Sequence, residues 1–425
     1  MRKVSSMKEQ TYKVNRRSVL KGAAAATMLT IVPRHVLGGV GQTPPSEALT
    51  AGLIGCGGQG GEDLNTYVTA PGGTYKLLAA CDVDGTRLAN AKKKFGEHVE
   101  LYTDWRRVIE RKDIDVISIA TPPHWHALMC IAAAQAGKDI LCEKPMTRFI
   151  AEGRAVVTAV KRYGRVFQIG TSGRFGAYKS SRSRTIHKIM RSGLLKHCPA
   201  VYIQKGGFPV LRYCGRVDLK PEPVPKHLDW DMYCGPAPLR PYHPHRFGWS
   251  HRYYWDYEGG SLADFAQHYV DPFQWIYGKD DTSPVEVEAC AAPAHPEACG
   301  VWAWVELKYA DGLTLVLDGN EWGPRYDRKE PRHVELADLD EQSRKKVEAM
   351  ADPQPLLSFV EAVKTRKEAG GHVEAAHRAV TIAHLSNIAI RLGRKITYDP
   401  VKEQIIGDEA ANRFVYQPMR QPWHL

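Results

Sequence analysis

The sequence predicts an α/β protein in two parts: a doubly wound parallel sheet in the N-terminal half, then a second α/β domain with a mainly antiparallel sheet. Three observations carry this reading. Short continuous apolar runs alternate with helical spacings from 48 to 169, the glycine-rich turn "GLIGCGGQGG" joins the first run to the first helix, and beyond Arg174 apolar residues recur in two-residue steps. Strands that are apolar throughout must be covered on both faces, which is the condition of a parallel sheet wrapped by helices.

Taken in order, strands are expected at 48–54, 76–81, 99–102, 115–120 and 139–142, with helices between them at 58–67, 86–95, 105–110 and 125–136. A helix over 151–163 and a strand over 166–169 continue the pattern. Aromatics, Pro and His then become frequent, and strands follow at 285–290, 301–309 and 313–317. The last two are joined by Ala310-Asp311-Gly312, a hairpin turn in which Gly tolerates positive φ. Helical spacing returns over 352–392, and the chain from Gly393 reads as irregular. The implied organisation is 46–172 for the first domain, 173–398 for the second and 399–425 for a tail.

Residues 1–40 have the layout of a twin-arginine export signal: Arg16-Arg17, then Ser18, Val19, Leu20 and Lys21, an apolar run over 22–32, Pro33, and small Gly38 near the expected cleavage point. Eleven weakly apolar residues fall short of the about 20 that cross a hydrocarbon core, so no permanent anchor is expected. The signal implies the twin-arginine export machinery as a partner and a periplasmic or extracellular destination. It also explains the charge. The 425-residue chain carries +11, but residues 1–40 hold eight Lys/Arg against one acid, Glu9, and so supply +7, leaving +4. Nothing in that remainder asks for a nucleic acid. The nine cysteines read as core residues rather than a disulfide framework, although Cys198, Cys214, Cys234, Cys290 and Cys299 leave room for one bridge.

Gly55, Gly57 and Gly60 stand in G-x-G-x-x-G register at a strand-to-helix turn. Gly55 permits the tight turn, Gly57 lets a pyrophosphate approach the backbone, and Gly60 lets the helix pack closely. The second strand ends in "CDVD", which places Asp82 where a carboxylate can take both ribose hydroxyls of NAD and repel a 2′-phosphate. Arg87 nearby leaves NADP open. Asp82 lies 27 positions after Gly55, a long interval ascribed to an extra turn at Pro71-Gly72-Gly73. Gly58 and Gln59 in the loop, Thr121 and His124 after the fourth strand, and Glu143 and Lys144 after the fifth complete the candidate cofactor set.

"CEKPMTR" brings Lys144 to the carboxyl edge of the sheet, where ligands of such folds bind, and Pro145 biases Lys144 towards an extended backbone. "TPPHWHA" ends on the same edge; His124 and His126 there either border the ligand or serve helix-start polarity. Without a third ligand they do not make a metal site. In "GGSLADFAQHYVD", Asp264 and His268 lie one helical turn apart, an arrangement in which the acid either orients the imidazole or holds a neighbouring hydroxyl. Ser261 and Asp264 equally fit a helix cap. The preceding "RFGWSHRYYWDY" offers Arg252, Tyr253, Trp255 and Tyr257 as substrate contacts suited to a polyol, and equally fits an interface or a core segment.

The glycine loop, "EKP" and the Asp-x-x-x-His helix, in this order, resemble the Gfo/Idh/MocA family of glucose-fructose oxidoreductases and inositol dehydrogenases. The resemblance spans about 46–398. It implies a Rossmann domain followed by an α/β domain on an open, mainly antiparallel sheet, and sheets of this kind that pair into homo-oligomers. It further implies that Lys144 contacts nicotinamide and the reacting oxygen, that His268 is the acid/base and that Asp264 assists substrate binding. Exported members with twin-arginine signals belong to the family. The Tyr-Pro-Thr-His segment of its N-acetylgalactosaminidases is not found here.

The expected activity is hydride transfer between NAD(P) and a sugar, polyol or glycoside. A route for folded cargo would carry a cofactor out already bound, and a trapped cofactor requires each oxidation to be matched by a reduction on the same enzyme. Aldose-to-aldose exchange, epimerisation, and transient oxidation that enables elimination or glycoside cleavage all satisfy that condition. An ordinary dehydrogenase with exchangeable NAD and a non-catalytic sugar-binding protein that keeps NAD as filler are the alternatives.

Overall fold

The computed structural model describes residues 48–203 and 207–425. The export-signal expectation falls on residues 1–40, outside them.

Six strands form the first sheet: β1 (Leu49–Ile54), β2 (Tyr75–Cys81), β3 (Glu100–Tyr102), β4 (Val116–Ile119), β5 (Asp139–Cys142) and β6 (Phe167–Ile169). They are ordered β3-β2-β1-β4-β5-β6, and every pair is parallel. The order reverses between β1 and β4, so a crevice opens there at the carboxyl ends of the strands. Buried Ile, Val, Ala and Leu fill both faces. The long interval before Asp82 is taken up by a wide turn over Asn65–Thr69, whose Ala70 N–H reaches back to the Asn65 carbonyl, and by Gly72 at φ +89°.

The second sheet contains β7 (Ala200–Tyr202), β8 (Glu286–Ala291), β9 (Trp302–Lys308), β10 (Thr314–Asp318), β11 (Ile396–Asp399) and β12 (Gln404–Ile405), ordered β12-β11-β8-β9-β10-β7. All its pairs are antiparallel except β10 with β7, as the sequence led us to expect of a mainly antiparallel sheet. The segment after Gly393 is not irregular. It supplies two strands and a short helix, Glu409–Asn412, and sinks Ile405, Ala411 and Val415 into the core; the sparse apolar residues there hid this pattern.

Helix Val373–Leu392 is buried on nearly every side, its small and apolar residues interspersed with buried polar ones such as His377, Thr381 and Ser386. Its first turns pack on the parallel sheet's cluster, through Val373, Ala376 and Val380, and its later turns join the second domain's cluster. The two domains therefore share one rigid element. No helix among the described residues is long and apolar enough to cross a membrane, and all nine cysteines are free.

Candidate active site

The glycine loop is shaped by contacts that exclude side chains. Gly55 adopts φ +96°, and a Cβ there would lie 2.5 Å from the Ala120 carbonyl oxygen. A Cβ on Gly60 would meet the end of Leu53 at 2.3 Å, so the helix Gln59–Leu64 sits against β1 more closely than any larger residue allows. Asp82 is buried at the end of β2, accepting the Cys56 N–H on Oδ2 at 2.8 Å and the Asp84 N–H on Oδ1 at 3.0 Å. Burial pushes its carboxyl upward, against the pull of Arg87. Each carboxylate oxygen keeps a further acceptor site, so the residue suits ribose hydroxyls as well as the loop it pins.

Two cavities open along the switch point. One, of about 50 Å³, lies beside Asp82 between the apolar walls of Trp105, Trp125, Met129, Met232 and Tyr233. The other, of about 710 Å³, runs from Gly57, Gly58 and Gln59 past Thr121, Glu143 and Lys144 to the second domain. Arg87, Ala120, Thr121, Pro122 and Tyr233 line both. The donor set and shape fit a dinucleotide laid across β1 and β4.

On the far wall stand Asp264 and His268, from helix Gly260–Ile276. Lys144 Nζ donates to Asp264 Oδ1 at 2.6 Å and to the Asp264 carbonyl at 3.0 Å. Tyr213 donates its hydroxyl to Asp264 Oδ2 at 2.5 Å, and Arg252 Nε lies 3.1 Å from the same oxygen. Burial alone would raise Asp264, but the Lys144 and Arg252 cations hold its carboxyl well below the usual range. Burial alone would also depress Lys144; Asp264, Glu143 and Glu258 outweigh it and keep the ammonium above its ordinary value. His268 opens onto the cavity, where desolvation and then the Lys144 charge push its imidazole down to about 4. It is a neutral base at pH 7.

This geometry rests on buried Gln267, one residue before His268. Its Oε1 accepts the Met146 N–H at 3.0 Å and its Nε2 donates to the Ala376 carbonyl at 3.2 Å, which ties the Lys144 loop, the Asp264–His268 helix and the shared helix together. Glu143 lies beneath the cofactor wall, raised by burial and by the Asp63 carboxylate, and accepts the Lys144 N–H at 3.0 Å.

Several expected contacts sit elsewhere. Asp264 forms no hydrogen bond with His268; its partners are cations and a tyrosine. Ser261 does not cap its helix and instead accepts the Trp302 indole N–H at 3.2 Å. His124 lies behind the cavity, its Nε2 2.9 Å from the Tyr233 carbonyl, and burial depresses it to about 3. His126 is buried too, spanning the Thr121 and Pro145 carbonyls. Trp255 gives its indole N–H to the His295 carbonyl and lies under Arg391, away from the cavity. Tyr253 packs against Tyr213 and His245 rather than lining the cavity. An aromatic-rich loop does not reveal which ring faces inward. Arg252 does face inward. Tyr213, Trp249, His251 and Glu258 line the cavity and were not singled out by sequence; Tyr213 stands in a stretch without periodicity, while Glu258, just before Gly259-Gly260, offered only proximity to the Asp264 helix.

Fold and site together define an α/β oxidoreductase that binds NAD in a Rossmann domain. The profile described as the oxidoreductase family, NAD-binding Rossmann fold, matches residues 49–171, and that of the oxidoreductase family, C-terminal alpha/beta domain, matches 180–425. The chain belongs to the Gfo/Idh/MocA oxidoreductase family. It is similar to levoglucosan dehydrogenase of Pseudarthrobacter phenanthrenivorans, with 39% identity over 119 residues, 27% of this chain and 30% of that protein. It is also similar to inositol 2-dehydrogenase of Salmonella paratyphi B, with 31% identity over 128 residues, 30% of this chain and 38% of the relative. The chain thus spans 30% and 38% of the lengths of these two relatives. A solved structure of the WlbA dehydrogenase from Bordetella pertussis, in complex with NADH and UDP-GlcNAcA, shares the fold at a TM-score of 0.55 and 17% identity, covering 83% of this chain and 99% of that one.

Proposed function

We propose that this protein oxidises a hydroxyl of a sugar, polyol or glycoside, with NAD rather than NADP as the hydride acceptor. The observation that carries the reading is the convergence of Lys144 from one domain with Asp264 and His268 from the other on the cavity that begins at the glycine loop. Bound nicotinamide supplies the acceptor for the hydride leaving carbon. As that hydride departs, His268 takes the hydroxyl proton, and the Lys144 ammonium stabilises the negative charge developing on oxygen. Asp264 keeps Lys144 charged and aimed, with Tyr213 and Arg252 fixing the carboxylate in turn. The roles reverse in reduction. Asp82 favours NAD because a second negative charge beside it would be repelled. The reading is tested by incubating the protein with a panel of sugars, cyclitols and glycosides without added cofactor, and following nicotinamide absorbance and product mass. Turnover should appear with a polyhydroxylated ring and vanish in His268→Asn.

The cofactor is held through turnover and recycled, the hydride taken from one hydroxyl being returned on the same enzyme to a carbonyl of the oxidised intermediate or of a second sugar, and the protein is exported folded with it bound. What supports retention is the cover over the adenosine end. Residues 227–229 are stitched to the end of β2 by Gly85 N–H to His227 O at 2.9 Å and Asp229 N–H to Val83 O at 3.0 Å, and Met232 and Tyr233 then roof the cavity beside Asp82. The C-terminal segment locks that roof: Arg420 pairs with Asp231 at 2.7 Å, and Trp423 packs edge-on against Trp125. Denaturing the purified protein should release about one dinucleotide per chain; an empty protein that turns over only with added NAD makes it an ordinary dehydrogenase. Comparing the N-terminus of protein recovered from the cell envelope with that of the full chain tests export.

A further inference from the structure

The cavity holds a second carboxylate that the oxidation just described leaves without a task. Glu258 is 5% exposed, immediately precedes the Gly259-Gly260 turn into the Asp264 helix, and lines the large cavity. Its Oε2 is engaged: His251 Nε2 lies 2.9 Å away, and Arg252 Nε approaches to 3.9 Å. His251 is itself held by its Nδ1, 2.5 Å from the Gly248 carbonyl. Glu258 Oε1 has no hydrogen-bond partner. A buried carboxylate oxygen without a donor loses its hydration and gains nothing in exchange, and such a group in a ligand cavity calls for a donor from the ligand. Whether the proton between His251 and Glu258 sits on nitrogen or on Oε2, Oε1 is left an acceptor, so the missing group is a donor such as a hydroxyl.

Its position relative to the reacting oxygen follows from the charges between them. Arg252 bridges Glu258 to Asp264, and Asp264 holds Lys144. The wall therefore alternates in sign from Lys144 through Asp264 to Arg252 and ends on the His251–Glu258 pair. A ring that places one oxygen on Lys144 and His268 presents its neighbouring hydroxyls along this row. We infer that Glu258 is a substrate ligand, whose Oε1 accepts a hydrogen bond from a hydroxyl other than the one oxidised, with His251 acting through Glu258 as a positioning residue. The inference rests on the proposed oxidation and sharpens it: the substrate is a ring bearing at least two hydroxyls near the reacting carbon, not a simple secondary alcohol.

The test is a cycle between protein and substrate. NAD-loaded wild type, Glu258→Ala and Glu258→Gln are each mixed with D-glucose, myo-inositol and the monodeoxy analogues of both, and the second-order rate constant for reduction of bound nicotinamide is measured. For one analogue that still reacts, the wild type should lose about 100-fold or more relative to the parent sugar, because a site built to hold a hydroxyl strongly rejects the analogue lacking it. In Glu258→Ala the same deletion should cost less than about 3-fold, since the interaction is already gone. Glu258→Gln, which keeps an oxygen acceptor and the side-chain shape, should recover part of the penalty. His251→Asn should weaken the discrimination and leave the melting temperature and dinucleotide content unchanged. Equal penalties in wild type and Glu258→Ala, with both folded and loaded by those two measures, overturn the inference. Should no sugar reduce the nicotinamide in the wild type, the oxidation itself fails. The same cycle read as calorimetric binding constants then judges Glu258 alone, and absence of binding by every sugar overturns it too.

Discussion

The wall of the cavity beneath the glycine loop is made of backbone, whereas the opposite wall is made of charged side chains from segments distant in sequence. The first is set by Gly55 at φ +96°, Gly60 against Leu53, and one carboxylate, Asp82, that ties two backbone N–H groups. The second is set by Lys144 from the first domain and by Tyr213, Arg252, Asp264 and Glu258 from the second. A backbone wall binds the invariant part of a ligand pair, and a side-chain wall can be changed one residue at a time. The two walls should therefore fail differently when broken.

The largest effect is expected at the junction between them. Lys144→Met removes the ammonium that stabilises the reacting oxygen, and hydride transfer should fall about 1000-fold, the upper range for loss of one such donor. It also strands the buried Asp264 carboxylate with Arg252 as its one remaining cation, so unfolding in urea should show a loss of about 3 kcal/mol. Dinucleotide content should stay near that of the wild type, because the glycine loop and Asp82 are untouched. A variant that loses rate and cofactor together would mean that the two walls are not separable.

The converse break is Asp82→Ala. Here the loop loses a pin and the ribose loses an acceptor, and dinucleotide affinity should drop about 30-fold, as expected for one charge-assisted contact. The rate of hydride transfer at saturating NAD should change by less than about 3-fold, since the far wall is intact. Equilibrium dialysis with NAD measures the first quantity and single-turnover reduction the second.

The same division explains what was legible in the sequence. The parallel sheet and the glycine loop announce themselves because each of their residues is constrained by near neighbours: strands are apolar on both faces, and glycines fall where a Cβ would strike Ala120 or Leu53. Lys144, Asp264 and His268 stood out through the motifs around them. Tyr213 and Glu258 have no such local signature, because their partners lie 51 and 7 positions away and nothing in the chain between encodes the meeting. Tyr253 and Trp255 illustrate the reverse error: in a loop with an aromatic at almost every step, which ring turns inward depends on His295, Arg391 and His245, none of them visible in the loop itself. The strands after Gly393 were missed because two- and four-residue strands on an existing sheet need little apolar pattern of their own.

Acid should separate the walls more gently. His268 is depressed to about 4, so it remains a competent base through neutral pH, and the rate of oxidation should hold until the pH approaches about 4 and fall below it. His126, also lowered to about 4, and His268 both bind protons more weakly folded than unfolded. Between their ordinary value near 6.5 and about 4 these two rings therefore hold more protons in the unfolded chain, and their contribution to stability falls as the pH falls through that window, while buried Glu152, raised to about 7, contributes with the opposite sign. Comparing the melting temperature of the wild type and His268→Asn between pH 6.5 and 5 tests the sign: the difference between them should shift in favour of the variant on acidification, and a shift in favour of the wild type would contradict the burial of this ring.

The smallest effect distinguishes two tyrosines that the loop sequence could not. Tyr213 gives a short hydrogen bond to the carboxylate that orients Lys144, so Tyr213→Phe should slow hydride transfer about 10-fold, in line with one hydrogen bond to a charged group, and leave dinucleotide content alone. Tyr253 meets Tyr213 edge to face and stands outside the cavity, so Tyr253→Phe keeps the ring contact and should change the rate less than about 2-fold. If instead the second substitution were the damaging one, the loop would have to rotate on binding substrate and bring Tyr253 inward. The row of charges on the far wall would then rearrange around the substrate, and the place assigned to Glu258 would have to be redrawn with it.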